Sequence, residues 1–314
     1  MNSMKIAIIG TGGVGGYFGG RLAQAGFDVT FLARGKQLEA LKQNGLTIKS
    51  FLGDFHLKAV KATGEIRQIG RSDLVILAVK AWQIKEILDD LKFLIHPITA
   101  LLPLQNGVVA AEELAEVIDK KHIIGGLCRI ISKIETPGVI HHFGVASPKI
   151  TFGERDNSNS ERLQILKSIF DKAGIASEIS PDIEAELWKK FLMICVSGLL
   201  AVTRTTYGEL REMKETRQLM FELFTEIYTL SQKKKIRIEP DFVDKTMKLI
   251  DKLPYDSTSS LTRDVWEGKP SEIEYQNGTV VRLGLEHNVE TPVNRFVYNC
   301  ILPMERKARN NSNN

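Results

Sequence analysis

A short apolar strand, Lys5-Ile6-Ala7-Ile8-Ile9, runs directly into Gly10-Thr11-Gly12-Gly13-Val14-Gly15 and then into a helical pattern that opens Tyr17-Phe18-Gly19-Gly20-Arg21-Leu22-Ala23. The G-x-G-x-x-G spacing between strand and helix fixes the start of the chain as a strand-turn-helix unit that can hold a dinucleotide. Gly10 makes the tight turn, Gly12 lets the backbone approach a pyrophosphate, and Gly15 lets the helix pack closely on the sheet. The helix N-terminus then offers unpaired N–H groups and a partial positive charge to the phosphates.

Strand-like and helical runs continue to alternate. Strands are expected at 6–9, 29–32, 74–79 and 100–104, with a helix from the fingerprint to about 25–26 and another from 84. This alternation specifies a parallel sheet with crossover helices, an α/β Rossmann-type N-terminal domain. After 122–126 the pattern changes: 138–143 and 149–152 read as strands closing one side of that sheet, and a loop at 156–160 leads into a helix ending at Gly174. Ser180-Pro181-Asp182 marks the expected boundary between a dinucleotide-binding domain, 1–180, and an all-helical C-terminal domain, 181–314. In the latter, one long helix is expected over 184–201, with others near 216–232, 240–253, 257–267, 271–286 and 293–307. The tail 310–314 is expected to be disordered.

At 314 residues and 43% hydrophobic content the chain is long enough for two cores. Cys128, Cys195 and Cys300 are far apart and form no C-x-x-C, so neither a disulfide scaffold nor a zinc module is indicated, and a reducing cytoplasmic setting is expected. No metal site is expected, since the six histidines form no ligand pattern and His141 and His142, adjacent on a strand, point to opposite faces. No apolar run approaches the ~20 residues of a membrane helix. The net charge of +4 is dispersed, which gives nucleic-acid binding little footing but suits an anionic ligand.

The end of the second strand bears on the cofactor. An NAD site usually places an acid there, whereas this strand ends in Arg34, which suits the 2′-phosphate of NADP; a solvated arginine at a strand end is the alternative. Two further loops open at the carboxyl edge of the sheet, carrying Lys80-Ala81-Trp82-Gln83 and Gln105-Asn106-Gly107. Lys80 and Asn106 therefore face the ligand crevice, although Asn106-Gly107 would also serve as a plain turn, and Trp82 reads as packing.

Together with Ala185-Glu186-Leu187-Trp188-Lys189-Lys190 and Ser271-Glu272-Ile273-Glu274-Tyr275-Gln276-Asn277-Gly278, these signatures resemble the 2-dehydropantoate 2-reductases, also called ketopantoate reductases. The resemblance covers nearly the whole chain. It implies NADPH-dependent reduction of a 2-oxo acid to a 2-hydroxy acid in a cleft between a Rossmann domain and a helical domain, most simply 2-dehydropantoate to pantoate in coenzyme A biosynthesis. It implies Lys190 as the catalytic acid, Glu272 as the working carboxylate, Ser260 as a substrate ligand, Asn106 between cofactor and substrate, and Lys80 close to both. Periodicity alone does not separate Lys190 from Lys189, and Glu274 competes locally with Glu272. A positioned ammonium is what the reaction needs, because hydride addition builds negative charge on the carbonyl oxygen.

The chain also departs from the family pattern. Asparagines usually stand four and eight residues beyond the catalytic lysine, on one helical row, and here these are Ile194 and Gly198; Tyr207 likewise stands where asparagine is common. If that row borders the substrate, the pocket is less polar than usual. The open alternatives are a relative acting on another branched 2-oxo acid and a non-catalytic NADP-binding sensor. The substrate is a small 2-oxo acid on the first two readings, and the helical half is compatible with a homodimer.

Overall fold

The computed structural model describes residues 4–144 and 146–312, and their contacts divide them into two units. The first takes the chain through Gln105 and again over Val109–Ile183; the second takes Asn106–Val108 and everything from Glu184 onward. The sequence placed the changeover at 180/181.

The first unit runs β1 (Lys5–Ile9), α1 (Gly13–Gln24), β2 (Asp28–Leu32), α2 (Gly35–Asn44), β3 (Leu46–Ser50), β4 (Phe55–Leu57), β5 (Lys61–Thr63), β6 (Leu74–Leu77), α3 (Ile84–Leu91), β7 (Ala100–Pro103) and α4 (Ala110–Ala115). It continues through β8 (Gly125–Arg129), β9 (Ser132–Thr136), β10 (Val139–His142), β11 (Lys149–Gly153), α5 (Glu161–Lys172) and β12 (Ala176–Ile179). Strands β5-β2-β1-β6-β7 form a wholly parallel sheet in that order. Every residue of β6 and β7 is buried, as parallel strands covered on both faces require. The chain order reverses between β1 and β6, so the carboxyl ends of these two strands form the switch point at which such sheets bind ligands.

The glycines of α1 continue past the fingerprint for a packing reason. Side chains at Gly15 and Gly19 would come within 2.0 Å of the Gly10 carbonyl and 2.6 Å of the Phe31 ring; at Gly16 and Gly20 they would meet Ile140 at 2.7 Å and Ile48 at 3.2 Å. Helix α1 is thus pressed between the parallel sheet and a second one. Each glycine costs about 0.5–1 kcal/mol of helix propensity relative to alanine. Burial of Ile8, Phe31, Ile48 and Ile140, all 0% exposed, offsets this at about 1.5–3 kcal/mol each.

That second sheet corrects the expectation for the middle of the chain. Strand β10 does not extend the parallel sheet; it pairs with β3, which went unrecognised, in a four-stranded sheet ordered β4-β3-β10-β9. Strands β8 and β11 join β12 in a third sheet. This third sheet is continuous with the edge of the first, through a parallel bridge between Leu101 and Ile123 and the bond from Ile124 N to Leu101 O at 3.1 Å.

Beyond residue 183 the described residues form helices: α6 (Ile183–Ile194), α7 (Val196–Thr203), α8 (Tyr207–Glu212), α9 (Lys214–Lys233), α10 (Phe242–Ile250), α11 (Ser260–Trp266), α12 (Asn277–His287) and α13 (Pro292–Ser312). The single helix expected over 184–201 is broken at Cys195 into α6 and α7. The Cys195 carbonyl is engaged by the Asn277 side chain at 3.0 Å, and Gly198 N turns to Cys195 O at 3.3 Å. The helix expected from 271 starts only at Asn277, behind a 3-10 turn over Ile273–Tyr275. Helix α8 was not anticipated, although Thr206 and Glu209 form a reciprocal capping box, Glu209 N to Thr206 Oγ1 at 3.3 Å and Thr206 N to Glu209 Oε2 at 2.7 Å. In the tail, α13 extends through Ser312, against the expectation of disorder; residues 313 and 314 lie outside the described residues. No helix among the described residues is long and apolar enough to cross a membrane.

Candidate active site

In the first unit the fingerprint takes the shape its glycines allow. Gly10 turns the chain at φ +102°, and a side chain there would stand 2.7 Å from Val79 N at the end of β6. Thr11 is buried, and its N–H and Oγ1 both donate to Leu32 O, at 3.1 and 2.8 Å, which fastens the turn to β2. Gly12 caps α1 with no side-chain hydrogen bond, no atom lies within 4 Å of where its Cβ would stand, and the first helical turn contains no acid. A helix start that is open, uncapped by a side chain and free of acidic groups is a fitting seat for a pyrophosphate. The side chain of Val14, by contrast, is partly buried and packs against the core.

Arg34 ends the approach from β2 and caps α2; it is exposed, and no hydrogen bond or ion pair of its guanidinium is found among the described residues. Gln37 closes this corner, donating to Thr11 O at 3.1 Å and accepting from Gly138 N at 2.9 Å. These residues fit an adenine dinucleotide. At the end of β6, exposed Lys80 donates its backbone N–H to Gln83 Oε1 at 3.1 Å and sets its Nζ 5.7 Å from the centre of the Trp82 ring, a cation–π contact. Beyond β7, buried Gln105 donates to Val79 O at 3.1 Å while its Oε1 has no hydrogen-bond partner among the described residues. Within Gln105-Asn106-Gly107 the sequence alone points to the asparagine and gives no signal for Gln105.

In the second unit one of the two competing lysines, Lys189, has well-defined partners. Lys189 is drawn into ion pairs with Glu239 at 3.0 Å and Glu186 at 3.3 Å and lies over the Phe242 ring. Burial pulls its pKa down, but the hydrogen bond to Glu239 and the charge of Glu186 outweigh this and leave it raised. Lys189 is thereby committed to holding α6 against 239–242. Lys190, also half-buried, points from the same turn of α6 in another direction.

The carboxylates separate. Glu274 is bound at the surface by Arg282 and by the hydroxyl of Tyr298. Glu272 is buried at 5% exposure, and its Oε2 accepts from Asn106 Nδ2 at 3.0 Å. The segment carrying it is clamped by α13: Ser271 N and Oγ donate to Glu305 Oε2 at 2.9 and 2.6 Å, and Arg309 donates to Ser271 O at 3.3 Å. Ser260 is exposed at the first turn of α11, which Ser259 caps through Thr262 N at 3.1 Å. Helix α11 is itself tied to α7 by Thr262 Oγ1 to Ser197 O at 2.9 Å and Trp266 Nε1 to Ala201 O at 3.2 Å.

The row expected above Lys190 is not one row. Ile194 is the last residue of α6 and half-buried, whereas Gly198 lies on α7 beyond the break, and its vacant side position is filled by Asn277 Oδ1 at 2.5 Å and Val297 Cγ1 at 2.6 Å. The assignment of Gly198 to the substrate is corrected accordingly. Its missing side chain makes room for Asn277 inside the helical unit.

Comparison with known proteins agrees with this geometry. Residues 6–157 match the family model described as "Ketopantoate reductase PanE/ApbA", and residues 182–305 match its C-terminal companion. The "Uncharacterized oxidoreductase YkpB" of Bacillus subtilis is 34% identical over 300 residues, covering 94% of this chain and 97% of that one. A 2-dehydropantoate 2-reductase of Nostoc is 32% identical over 316 residues, 98% of each. The crystal structure of a 2-dehydropantoate 2-reductase from Geobacter metallireducens superposes with a TM-score of 0.88 at 28% identity, covering 96% of this chain and 99% of that one. With both of its halves matched in order, the chain belongs to the ketopantoate reductase PanE/ApbA family of nicotinamide-dependent oxidoreductases.

Proposed function

We propose that this chain reduces a 2-oxo acid to the 2-hydroxy acid with NADPH, with 2-dehydropantoate as the first substrate to test. The observation that supports it most is the buried Glu272 carboxylate joined to Asn106 in the same unit as the Lys190 helix. Arg34 and the open start of α1 would hold the 2′-phosphate and pyrophosphate. When bound, the reduced nicotinamide supplies a hydride to the substrate's carbonyl carbon. Lys190 stabilises the negative charge that develops on the carbonyl oxygen and delivers the proton to it. Glu272 accepts a hydrogen bond from the new hydroxyl, Asn106 holds the substrate beside that carboxylate, and Ser260 binds the substrate's carboxylate end.

Ile194 favours a second reading within the same chemistry, a 2-oxo acid with a plain branched or aromatic side chain, because an apolar residue at the end of the lysine's helix offers no hydrogen bond to a polar substituent. The test is loss of NADPH absorbance against a panel of 2-oxo acids. Turnover of at least one supports the reading, and binding of NADPH with turnover of none would sink it in favour of a sensor.

A further inference from the structure

The two segments that the proposed reaction uses in the helical unit are joined by one buried amide. Asn277 is 0% exposed and opens α12 immediately behind the turn that carries Glu272. Its Nδ2 donates to Cys195 O at 3.0 Å, at the break between α6 and α7 just beyond the helix of Lys190, and to Asn294 Oδ1 at 2.9 Å. Asn294 is in turn held by Glu226 Oε2 at 2.7 Å and Leu223 O at 3.2 Å. Both hydrogen bonds of the Asn277 amide leave from Nδ2, while Oδ1 is buried without a hydrogen-bond partner among the described residues and faces the bare Cα of Gly198.

We propose that Asn277 is a positioning residue: by holding the broken end of α6 against the start of α12, it sets Lys190 relative to Glu272, with Gly198 as the clearance that lets it sit there. The inference rests on the reading of Lys190 and Glu272 given above. A carbonyl freed by a helix break and buried needs a donor, and leaving it unpaired costs about 1–3 kcal/mol. The Cys195 carbonyl keeps a long bond from Gly198 N at 3.3 Å, and its shorter donor, Asn277 Nδ2 at 3.0 Å, comes from the segment bearing the catalytic carboxylate. A buried donor whose remaining bond leads to Asn294 and Glu226 has one geometry available to it, so the two segments are set in one arrangement. Any side chain at Gly198 would press on Asn277 Oδ1 and Val297 at contacts below 3.0 Å, so that something must shift.

The test compares Asn277→Ala with Gly198→Ala, which disturbs the same joint from opposite sides, the second without deleting any polar group. Folded fractions are established first, and kcat, KM, the Kd for NADPH and the deuterium isotope effect on kcat with NADPH labelled at the transferred hydrogen are measured well below each melting temperature. Positioning requires kcat to fall about 10–100-fold, KM and Kd to stay within about threefold, and the isotope effect to rise as hydride transfer becomes limiting, since misplacement of order 1 Å costs about that much. A variant that folds, melts earlier and keeps the parental kcat and isotope effect would overturn the proposal, because a purely structural joint behaves so. Should Asn277→Ala not fold, Gly198→Ala decides alone by the same readouts. Lys190→Ala separates the two readings: if it retains full turnover, the assignment of the lysine fails, whereas loss of turnover there with normal kinetics in the joint variants defeats only the role of Asn277.

Discussion

Asn106 Nδ2 donates to Glu272 Oε2 across 3.0 Å, joining residues 166 positions apart, while Glu274, two residues from Glu272, turns away to Arg282 and Tyr298. One carboxylate of the motif is therefore buried beside an amide and the other neutralised at the surface. Glu272→Gln preserves shape but removes the charge, and is expected to lower kcat about 10–100-fold. Glu274→Gln should stay within about threefold. Steady-state kinetics of the two variants checks this, and an interchange of their effects would reverse the assignment.

The adjacent lysines are tested in the same way. Lys190→Ala is expected to lower kcat by about 10²–10⁴ and leave NADPH affinity nearly unchanged, because the group is needed mainly in the transition state. Lys189→Ala removes a partly exposed ion pair with Glu239 and Glu186, a loss of about 0–1 kcal/mol of stability with little change in kcat. Kinetics and thermal melting measured on both variants would expose a one-residue error in the assignment.

Arg34 bears on the choice of cofactor. A charge-assisted contact to a 2′-phosphate is worth about 1.5–3 kcal/mol, or roughly tenfold to a hundredfold in affinity. The protein is accordingly expected to bind NADPH more tightly than NADH, and Arg34→Glu to invert that order. Equal affinities in the unaltered protein, measured by fluorescence titration, would remove Arg34 from the site.

Legibility from sequence followed the range of the interactions involved. The fingerprint turn, the parallel strands and most helices were readable because periodicity and glycine spacing are local. Strand β3 was missed, and β10 was assigned to the wrong sheet, because their pairing spans about ninety residues and carries no local signature. The break at Cys195 was invisible for a similar reason: the run around it is uniformly apolar, and the amide that binds the Cys195 carbonyl lies 82 residues away. The engagement of Lys189 by Glu239 and of Glu274 by Arg282 and Tyr298 was unreadable for the same reason, since these partners lie at least eight and up to fifty residues away.

Two tyrosines give the fold an alkaline signature. Burial pushes Tyr207 up to about 12 against the opposing hydrogen bond with Ser197; burial and then the hydrogen bond to Glu274 push Tyr298 up to about 12. Both folded values lie above the ordinary 10. Their contribution to stability is therefore fully present below pH 10 and is lost as pH rises from 10 through 12. Spectrophotometric titration should show Tyr207 and Tyr298 ionising late, and Tyr298→Phe should remove one of these late ionisations. Ionisation of both near 10 in the folded protein would contradict this.

The last expectation concerns substrate polarity, and the corrected helix geometry narrows it to one residue. Gly198 is filled by Asn277 and Val297 and offers a substrate nothing, so only Ile194, ending α6 one turn beyond Lys190, is left of the row. An isoleucine there adds apolar surface and provides no partner for a hydroxyl. A buried hydroxyl without a partner loses about 1–3 kcal/mol, roughly fivefold to more than a hundredfold in kcat/KM. Plain branched or aromatic 2-oxo acids are therefore expected to be reduced at least as efficiently as 2-dehydropantoate, and Ile194→Asn to shift the preference toward the hydroxylated substrate. Kinetics on matched substrates with and without that hydroxyl decides the matter. A preference of order a hundredfold for 2-dehydropantoate in the unaltered protein would mean that residues other than this row hold the hydroxyl, and Ile194→Asn would then change little.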